Sequence, residues 1–289
     1  MIDEARTFIW LNGRVLDQRR FEFLFDGGSP DPVVHAVLGY RNSDGGFGHA
    51  LEPDGRGPLS QPLHTYTALA LLDEVGDHSQ AASAVQYLQS VSAPDGGISV
   101  GVAWAADYPH APWWDTDGQP SLLATALVVG LLHKMKLDDP WLDKATSFVW
   151  RELDGRQDTH PYEASAVARF LDSVPDRPRA EAAARRLGEL VRAQRLVDLG
   201  EDDVARPAGY AAGETHKPHD FAPMPDSLAR RWFTDDEIHR SLDVLQAEQR
   251  TDGGWPFGWT AWTDVNRHDW GAVVTIEALL KLRAYGRLG

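Results

Sequence analysis

Cysteine is absent from this chain of 289 residues. Its absence excludes disulfides, thiol nucleophiles and cysteine-ligated zinc sites, and it favours a cytoplasmic location. No apolar run approaches the roughly 18 residues of a membrane span, so we expect no integral membrane segment. The first residues, MIDEARTFIWLNGR, carry acids early and no apolar stretch. We therefore expect no signal peptide.

Basic residues are few relative to acidic ones. Lys and Arg number 28 against 43 Asp and Glu, so the formal net charge is -15. A surplus of negative charge disfavours the nucleic-acid backbone as a ligand, and we expect no nucleic-acid partner. The simplest interpretation is an acidic surface around a small-molecule site. The chain is 43% apolar and can bury a core; its oligomeric state is left open.

A short motif recurs along the chain. Asp-Gly-Gly occupies residues 44–46, 95–97 and 252–254, and two weaker echoes occur at Asp154-Gly155 and Asp198-Leu199-Gly200. The five markers follow a period of about fifty residues, which is typical of a repeat architecture. A helix-like segment precedes each marker and another follows it.

The helix-like segments are of two kinds. Segments before the markers are amphipathic, as in RPRAEAAARRLGELVRAQ, whereas several after them are apolar nearly all round, as in SLLATALVVGLLHKM. Helices that are apolar on all sides are buried on all sides. The alternation predicts an all-α fold, an α/α toroid of five to six hairpins with an inner and an outer ring, as a single domain over 1–289. The predicted helices are 4–25, 32–42, 61–76, 79–92, 121–136, 139–153, 160–174, 178–197, 226–232, 234–250 and 269–286.

Long connections separate the predicted outer helices from the inner ones. They cover 43–60, 93–120, 198–225 and 251–268, whereas the return connections are short. In an up-down array all connections of one direction lie at one end. We therefore expect the long loops to share one end of the toroid and to carry the function.

The last marker matches a known repeat. Gln249, Gly253 and Trp255 have the spacing Q-x3-G-x-W, and partial copies run from Arg41 to Phe47 and from Ser92 to Ile98. In this pattern the chain resembles the superfamily of squalene/hopene cyclases, class II terpene cyclases and prenyltransferase β subunits. The resemblance implies an α/α toroid and an isoprenoid enzyme, an isomerase, lyase or prenyl-transferring protein. A fold hosts many functions, so the chemistry has to come from residues.

One acidic motif partly matches the resemblance. Class II cyclases use Asp-x-Asp-Asp, and this chain has Asp115-Thr116-Asp117-Gly118 before the helix at 121–136. Asp117 is a candidate proton donor, with Asp115 as the neighbouring carboxyl; the alternative is a polar turn. The prenyltransferase zinc site requires cysteine and cannot be carried over. The class I motif Asp-Asp-x-x-Asp is missing, because neither Asp202-Asp203 nor Asp235-Asp236 has a third acid.

The first two long loops supply further candidates. His49, Glu52 and Asp54 lie within six residues and can face one pocket as acids or bases, or else are solvated loop residues. The second loop places aromatic residues among acids, which suits a carbocation or a sugar. A loop that packs its own aromatics is the alternative. The aromatic candidates for substrate binding are Trp104, Tyr108, Trp113 and Trp114.

The later loops are rich in His, acids and Trp. His160 and Glu163 open a helix and either cap it or face substrate. The loop at 209–227 has residues of metal-ligand type and could hold one divalent ion, but no distant third ligand joins them; these residues are Glu214, His216, His219 and Asp220. We therefore predict no metal site and no zinc, leave the cofactor open, and favour a lid. The remaining substrate-binding candidates are Trp259, Trp262 and His268.

Two classes of function follow. The first is an isoprenoid enzyme, with an apolar substrate in the toroid and acid-initiated or prenyl-transfer chemistry. The second is a carbohydrate-active enzyme, a hydrolase, lyase or epimerase with paired carboxylates and stacking tryptophans. A non-catalytic small-molecule binder is a third interpretation. On the resemblance we favour the first, and we expect a deep apolar pocket for it and a shallow carboxylate-lined cleft for the second.

Overall fold

The computed structural model describes residues 1–200 and 204–288, which leaves Asp202 and Asp203 outside the described residues. Within these ranges the chain is all-helical and has no strand, only two isolated bridges. The predicted all-α class is confirmed. The described residues form twelve α-helices: α1 (Ile2–Asn12), α2 (Val15–Phe25), α3 (Asp31–Leu38), α4 (Pro62–Glu74), α5 (Ala81–Ser90), α6 (Leu122–Lys134), α7 (Pro140–Leu153), α8 (Pro161–Ser173), α9 (Arg177–Ala193), α10 (Pro218–Phe221), α11 (Asp235–Ala247) and α12 (Asp264–Ala284).

The helices divide into two compact units. Unit 1 contains Met1–Phe21, Gln157–Asp172 and Asp176–Gly289, and unit 2 contains Glu22–Arg156 and Ser173–Pro175. In unit 2, α4 packs against α6, α3 and α5 pack on α4, and α7 packs on α6. In unit 1, α12 packs against both α1 and α11. The buried α4 and α6 alternate with the amphipathic α5 and α7, as predicted for α/α hairpins. Compactness alone does not decide independent folding, so the single domain stays a prediction.

The three Asp-Gly-Gly motifs form the same turn. In each, the Asp Oδ1 atom accepts the N–H of the second Gly at 3.0–3.2 Å. The next residue donates its N–H to a Thr hydroxyl on the following helix, and that Thr also donates to the carbonyl four residues before it. The turn is thereby anchored to the helix that it precedes. The N–H donors and Thr acceptors are Phe47 with Thr65 (3.1 Å), Ile98 with Thr125 (2.9 Å) and Trp255 with Thr275 (3.0 Å).

Glycine is required at the first Gly of each turn for two reasons. Gly45, Gly96 and Gly253 have φ of 89°, 91° and 91°, in the left-handed region that disfavours other residues. A Cβ atom would also overlap the next amphipathic helix, which is α5 for the first turn, α7 for the second and α1 for the third. The echoes at Gly155 and Gly200 have positive φ but no such neighbour within 4 Å, so they turn the chain without this packing.

Several predicted boundaries are wrong. The single N-terminal helix at 4–25 is two helices, because the backbone of Gly13 is extended (φ -80°, ψ 152°) and ends α1 there. The loop at 251–268 ends at Thr263, whose Oγ accepts the Asn266 N–H at 3.0 Å and begins α12 early. The segment at 226–232 is a 3₁₀ turn, Leu228–Trp232. Among the described residues, no helix combines the length and the apolarity that a membrane span requires.

Candidate functional site

The first two long loops meet in unit 2. Gly55 and His110 form an antiparallel bridge. Arg56 donates its N–H to Pro109 O at 3.0 Å, and the Ala111 N–H binds the carbonyl of Asp54 at 2.8 Å. These backbone contacts bring the acidic first loop against the tryptophan-rich second loop.

Asp54 lies at the centre of this contact. Its side chain is buried, and its Oδ2 atom accepts the indole N–H of Trp113 at 2.7 Å. The Asp54 N–H donates to the Glu52 carboxylate at 2.9 Å, and the Glu52 N–H donates to Nδ1 of His64 at 2.8 Å. These four residues, with Trp114, form the Asp54 cluster. The structure brings Glu52, Asp54, Trp113 and Trp114 together, and their role in a site stays a prediction.

His64 is a member of the Asp54 cluster that the sequence analysis missed. It is fully buried in the first turn of α4, with its ring centroid 5.6 Å from that of Trp114. Since Nδ1 accepts a backbone N–H, a neutral His64 carries its proton on Nε2. Gly55 makes room for this edge, because a Cβ there would lie 2.9 Å from Nε2. In the sequence, the available signal for a close contact at this point was Gly55, which stands two residues before Gly57 in a proline-rich loop.

His49 faces another partner. Its ring Nε2 lies 3.1 Å from the Asn42 side-chain oxygen, and the side chain is exposed. His49 and Ala50 have φ of 57° and 61°, so two consecutive non-glycine residues adopt the left-handed conformation. Such strain requires surrounding contacts to hold it. The His49 ring thus bonds Asn42 on its own loop, and its role as an acid or base stays a prediction.

Asp115 and Asp117 form a polar turn. Both are exposed. Asp115 Oδ1 accepts the Asp117 N–H at 3.1 Å, and Asp117 Oδ1 accepts the Gln119 N–H at 2.7 Å. This geometry agrees with the turn interpretation. The role of Asp117 as a proton donor stays a prediction.

The tryptophans of the second loop have different roles. Trp114 is buried, whereas Trp104 and Trp113 are 39% and 43% exposed. The Trp104 indole N–H reaches Ser60 O at 3.4 Å, so both exposed indoles are held at the N–H edge. Tyr108 packs on Gly57, where a Cβ would lie 3.0 Å from its ring. The loop thus presents two anchored indole rings to solvent, and that of Trp113 lies beside Asp54.

A second cluster lies in unit 1. Glu214 is buried and accepts the Tyr162 hydroxyl and the Ala211 N–H, each at 2.7 Å. The Tyr162 ring lies 4.5 Å from the buried His216 ring, edge to face, and 5.5 Å from the Tyr210 ring. We call Tyr162, Tyr210, Glu214 and His216 the Glu214 cluster. Tyr162 and Tyr210 were not predicted as site residues. The sequence offered one indication of them, which is that each stands near a predicted residue: Tyr162 between His160 and Glu163, and Tyr210 in the same loop as His216.

Burial sets the protonation of the Glu214 cluster. Burial of the hydroxyl, then the hydrogen bond to the Glu214 carboxylate, raises the pKa of Tyr162 above its usual range. Burial also raises the pKa of Tyr210, and it lowers the pKa of His216. At neutral pH the two phenols and the imidazole are therefore uncharged.

His160 and Glu163 border the Glu214 cluster. The Glu163 N–H points to His160 Nδ1 at 3.5 Å, which agrees with the capping interpretation. The buried Glu163 carboxylate accepts the Thr159 hydroxyl at 3.0 Å. The Tyr210 hydroxyl lies 3.4 Å from His160 Nδ1. His160 therefore adjoins both the helix start and the tyrosines.

Asp220 holds a short helix in place. Its carboxylate binds Lys281 at 2.6 Å and the Lys217 N–H at 2.9 Å. Burial alone would raise the pKa of Asp220, but Lys281, His219 and His216 together lower it below its usual range. Burial lowers the pKa of His219 to about 4, and its Nδ1 lies 2.6 Å from the Ser241 hydroxyl. The predicted substrate ligand Asp220 is therefore part of an ion pair that fixes α10.

The last loop borders the Glu214 cluster through Gly258, where a Cβ would lie 3.6 Å from the Glu214 Cα. Trp259 is half-buried and packs edge to face on Trp270 at 5.0 Å, and Trp262 is also half-buried. His268 is exposed on α12. The segments around Trp113 and Trp259 belong to different units, so the predicted common end of all four long loops stays a prediction.

No metal-binding arrangement of three or more His, Asp or Glu occurs within residues 1–200 and 204–288. The Asp54 and Glu214 clusters each combine a buried carboxylate with aromatic side chains. In both clusters an aromatic side chain donates a hydrogen bond to a buried carboxylate. Such a site can orient a carboxyl group and place a π face beside it.

Comparisons with known proteins bear on the fold. No family model matches the chain, and no curated protein matches it. A solved structure from Actinoplanes, described as a crystal structure of a protein, is similar to it with a TM-score of 0.59 at 19% identity, covering 99% of this chain and 89% of that one. At this identity the likeness concerns the fold alone.

Proposed function

We propose that the protein is an isoprenoid enzyme that starts its reaction by proton transfer from Asp54. The observation that carries the proposal is the buried Asp54 carboxyl, held by the Trp113 indole N–H at 2.7 Å. The three equivalent Asp-Gly-Gly turns support it, because they agree with the QW-type repeat that suggested the class. Asp54 takes the role that the sequence pattern suggested for Asp117.

The chemistry rests on acidity and on π faces. The Trp113 indole N–H fixes the orientation of the Asp54 carboxyl, and a carboxylic acid held in place can deliver its proton to an alkene carbon as a general acid. Glu52 accepts the Asp54 N–H at 2.9 Å and orients the backbone of the acid. Protonation of an alkene produces a carbocation, which the exposed indole faces of Trp104 and Trp113 can stabilise. General acid catalysis of this kind contributes roughly 10²–10⁴-fold to a rate.

The test compares Asp54 with a matched exposed acid. Purified protein is incubated separately with squalene, a non-phosphorylated polyprene, and with geranylgeranyl diphosphate, and products are identified by gas chromatography and mass spectrometry. We expect Asp54→Asn to lower product formation by about 10²-fold or more, while Asp117→Asn retains it. Trp113→Phe, which removes only the indole donor, is expected to have an intermediate effect. Equal turnover in wild type and Asp54→Asn, or no product from either substrate, would refute the proposal.

A carbohydrate-active enzyme is the second candidate. It is favoured by the solvent-facing rings of Trp104 and Trp113, which are anchored at their N–H edges and suit stacking on a sugar. Glu52 and Asp54 would then serve as the carboxylate pair. Parallel incubation with a panel of oligosaccharides, followed by chromatography of the products, distinguishes the two. Sugar turnover that depends on both Glu52 and Asp54 would replace the first proposal.

A further inference from the structure

Glu214 is a buried acid without a cationic partner. Its side chain is 6% exposed, and both of its carboxylate oxygens accept hydrogen bonds from neutral donors, the Tyr162 hydroxyl and the Ala211 N–H. Within the described part of the chain no Lys, Arg or His forms an ion pair with it. The nearby Lys281 is engaged by Asp220 at 2.6 Å. Since a buried charge without a counter-charge is costly, Glu214 is suited to a cation that comes from outside the chain.

The surroundings of Glu214 restrict the kind of cation. The Tyr162 and Tyr210 rings lie 5.5 Å apart at an angle of 39°, and Tyr162 is 37% exposed. Tyrosine π faces attract organic cations, which carry their charge on weakly hydrated alkyl groups. A bare divalent ion requires several carboxylate or imidazole ligands, and no such group occurs among the described residues.

His216 supplies a second, independent indication of a ligand. Its side chain is only 8% exposed, and its Nδ1 atom is buried with no hydrogen-bond partner among the described residues. The ring lies 4.5 Å from Tyr162 and 5.9 Å from Tyr210. Because burial lowers the pKa of His216, the ring stays neutral and does not itself compensate Glu214. It retains a polar atom for a ligand, and buried polar atoms generally have a partner.

We propose that the Glu214 cluster binds an organic ammonium ion. The Glu214 carboxylate provides the opposite charge, the Tyr162 and Tyr210 rings contact the alkyl groups, and His216 Nδ1 bonds a hydroxyl or similar polar group of the same ligand. Gly258 borders the cluster, because a Cβ there would lie 3.6 Å from the Glu214 Cα and 3.7 Å from its Cγ. The net charge of -15 attracts cations to the protein as a whole. This site is independent of Asp54 and does not rest on isoprenoid chemistry.

The test uses choline and its neutral isostere, 3,3-dimethylbutan-1-ol, in isothermal titration calorimetry with the full chain. The two probes share shape and hydroxyl, so their difference reports the charge. We expect choline to bind at least about tenfold more tightly, since one charge-assisted contact contributes about 1.4 kcal/mol or more. Equal affinities, or no choline binding at millimolar concentration, would refute the proposal without the use of any variant.

Variants then locate the site. Glu214→Gln, which keeps the side-chain shape, is expected to abolish the preference for choline, and Asp117→Asn, the matched control at an exposed acid, to leave it intact. Tyr210→Leu removes one π face and is expected to weaken choline binding several-fold. Far-UV circular dichroism checks that each variant is folded. Choline binding that is unchanged in Glu214→Gln, or lost equally in Asp117→Asn, would place the ammonium elsewhere and overturn the assignment.

Discussion

Replacement of Thr275 by Val tests the anchor of the third Asp-Gly-Gly turn. Thr275 is fully buried, accepts the Trp255 N–H at 3.0 Å and donates to Gly271 O at 2.7 Å. Valine has nearly the same shape but has no hydroxyl, so the buried N–H of Trp255 loses its acceptor. A buried donor left without a partner costs about 1–3 kcal/mol, whereas the Gly271 carbonyl can keep its backbone bond within α12. We expect Thr275→Val to lower the free energy of unfolding by about 2 kcal/mol.

The control is Thr7→Val. Thr7 also donates to the carbonyl four residues earlier, Asp3 O at 3.1 Å, but it is exposed and accepts no turn N–H. Urea unfolding followed by tryptophan fluorescence gives both free energies by linear extrapolation. We expect Thr65→Val and Thr125→Val to resemble Thr275→Val. If Thr275→Val and Thr7→Val agree within about 0.5 kcal/mol, the Thr–turn bond is not what holds the turn, and the reasoning fails.

Two other perturbations probe the backbone and the buried imidazole. Gly253 has φ 91° and lies against Glu4 O, so we expect Gly253→Ala to lower the free energy of unfolding by more than about 2 kcal/mol. Gly76 has φ 76° but lies in open space, so we expect Gly76→Ala to lower it by about 1 kcal/mol. Equal losses of the two variants in urea unfolding would disprove the packing argument. His219 has a folded-state pKa of about 4, lowered chiefly by burial, against about 6.5 when unfolded. Its contribution to stability is therefore complete above pH ~6.5 and is lost as pH falls toward 4, by roughly 3 kcal/mol. His219→Asn should flatten the stability–pH curve in that window, and an unchanged slope would show that His219 does not titrate as proposed.

Helix starts were predictable where one local signal determines them. Thr234 and Glu237 form the capping box that their spacing indicated, with reciprocal bonds of 2.8 and 3.2 Å. Ser121 caps α6 by accepting the Ala124 N–H at 3.3 Å. The break between α1 and α2 was missed because Gly13 lies within a continuous helix-like pattern, and it is the extended backbone at Gly13 that ends α1 there.

The candidate sites were predictable in residue type but not in pairing. Glu52 and Asp54 were recognised as one acidic turn. The Trp113–Asp54 bond joins residues 59 apart, and the Tyr162–Glu214 bond joins residues 52 apart, so no local pattern specifies either. Long-range contacts of this kind depend on which loops the helices bring together. For the same reason, sequence spacing alone could not separate the turn-forming Asp117 from the buried Asp54.

The position of the one complete Q-x3-G-x-W motif has a physical explanation in unit 1. Gln249 donates its side-chain amide to Gly253 O and to Met1 O, each at 2.9 Å. The third turn therefore packs on α1 in the way that the first packs on α5 and the second on α7. The contact joins residues 248 apart, so closing it costs chain entropy that local contacts do not. A long polar side chain that bonds both the turn and the first residue offsets part of that cost, and α1 can complete its packing only after the last turn has formed.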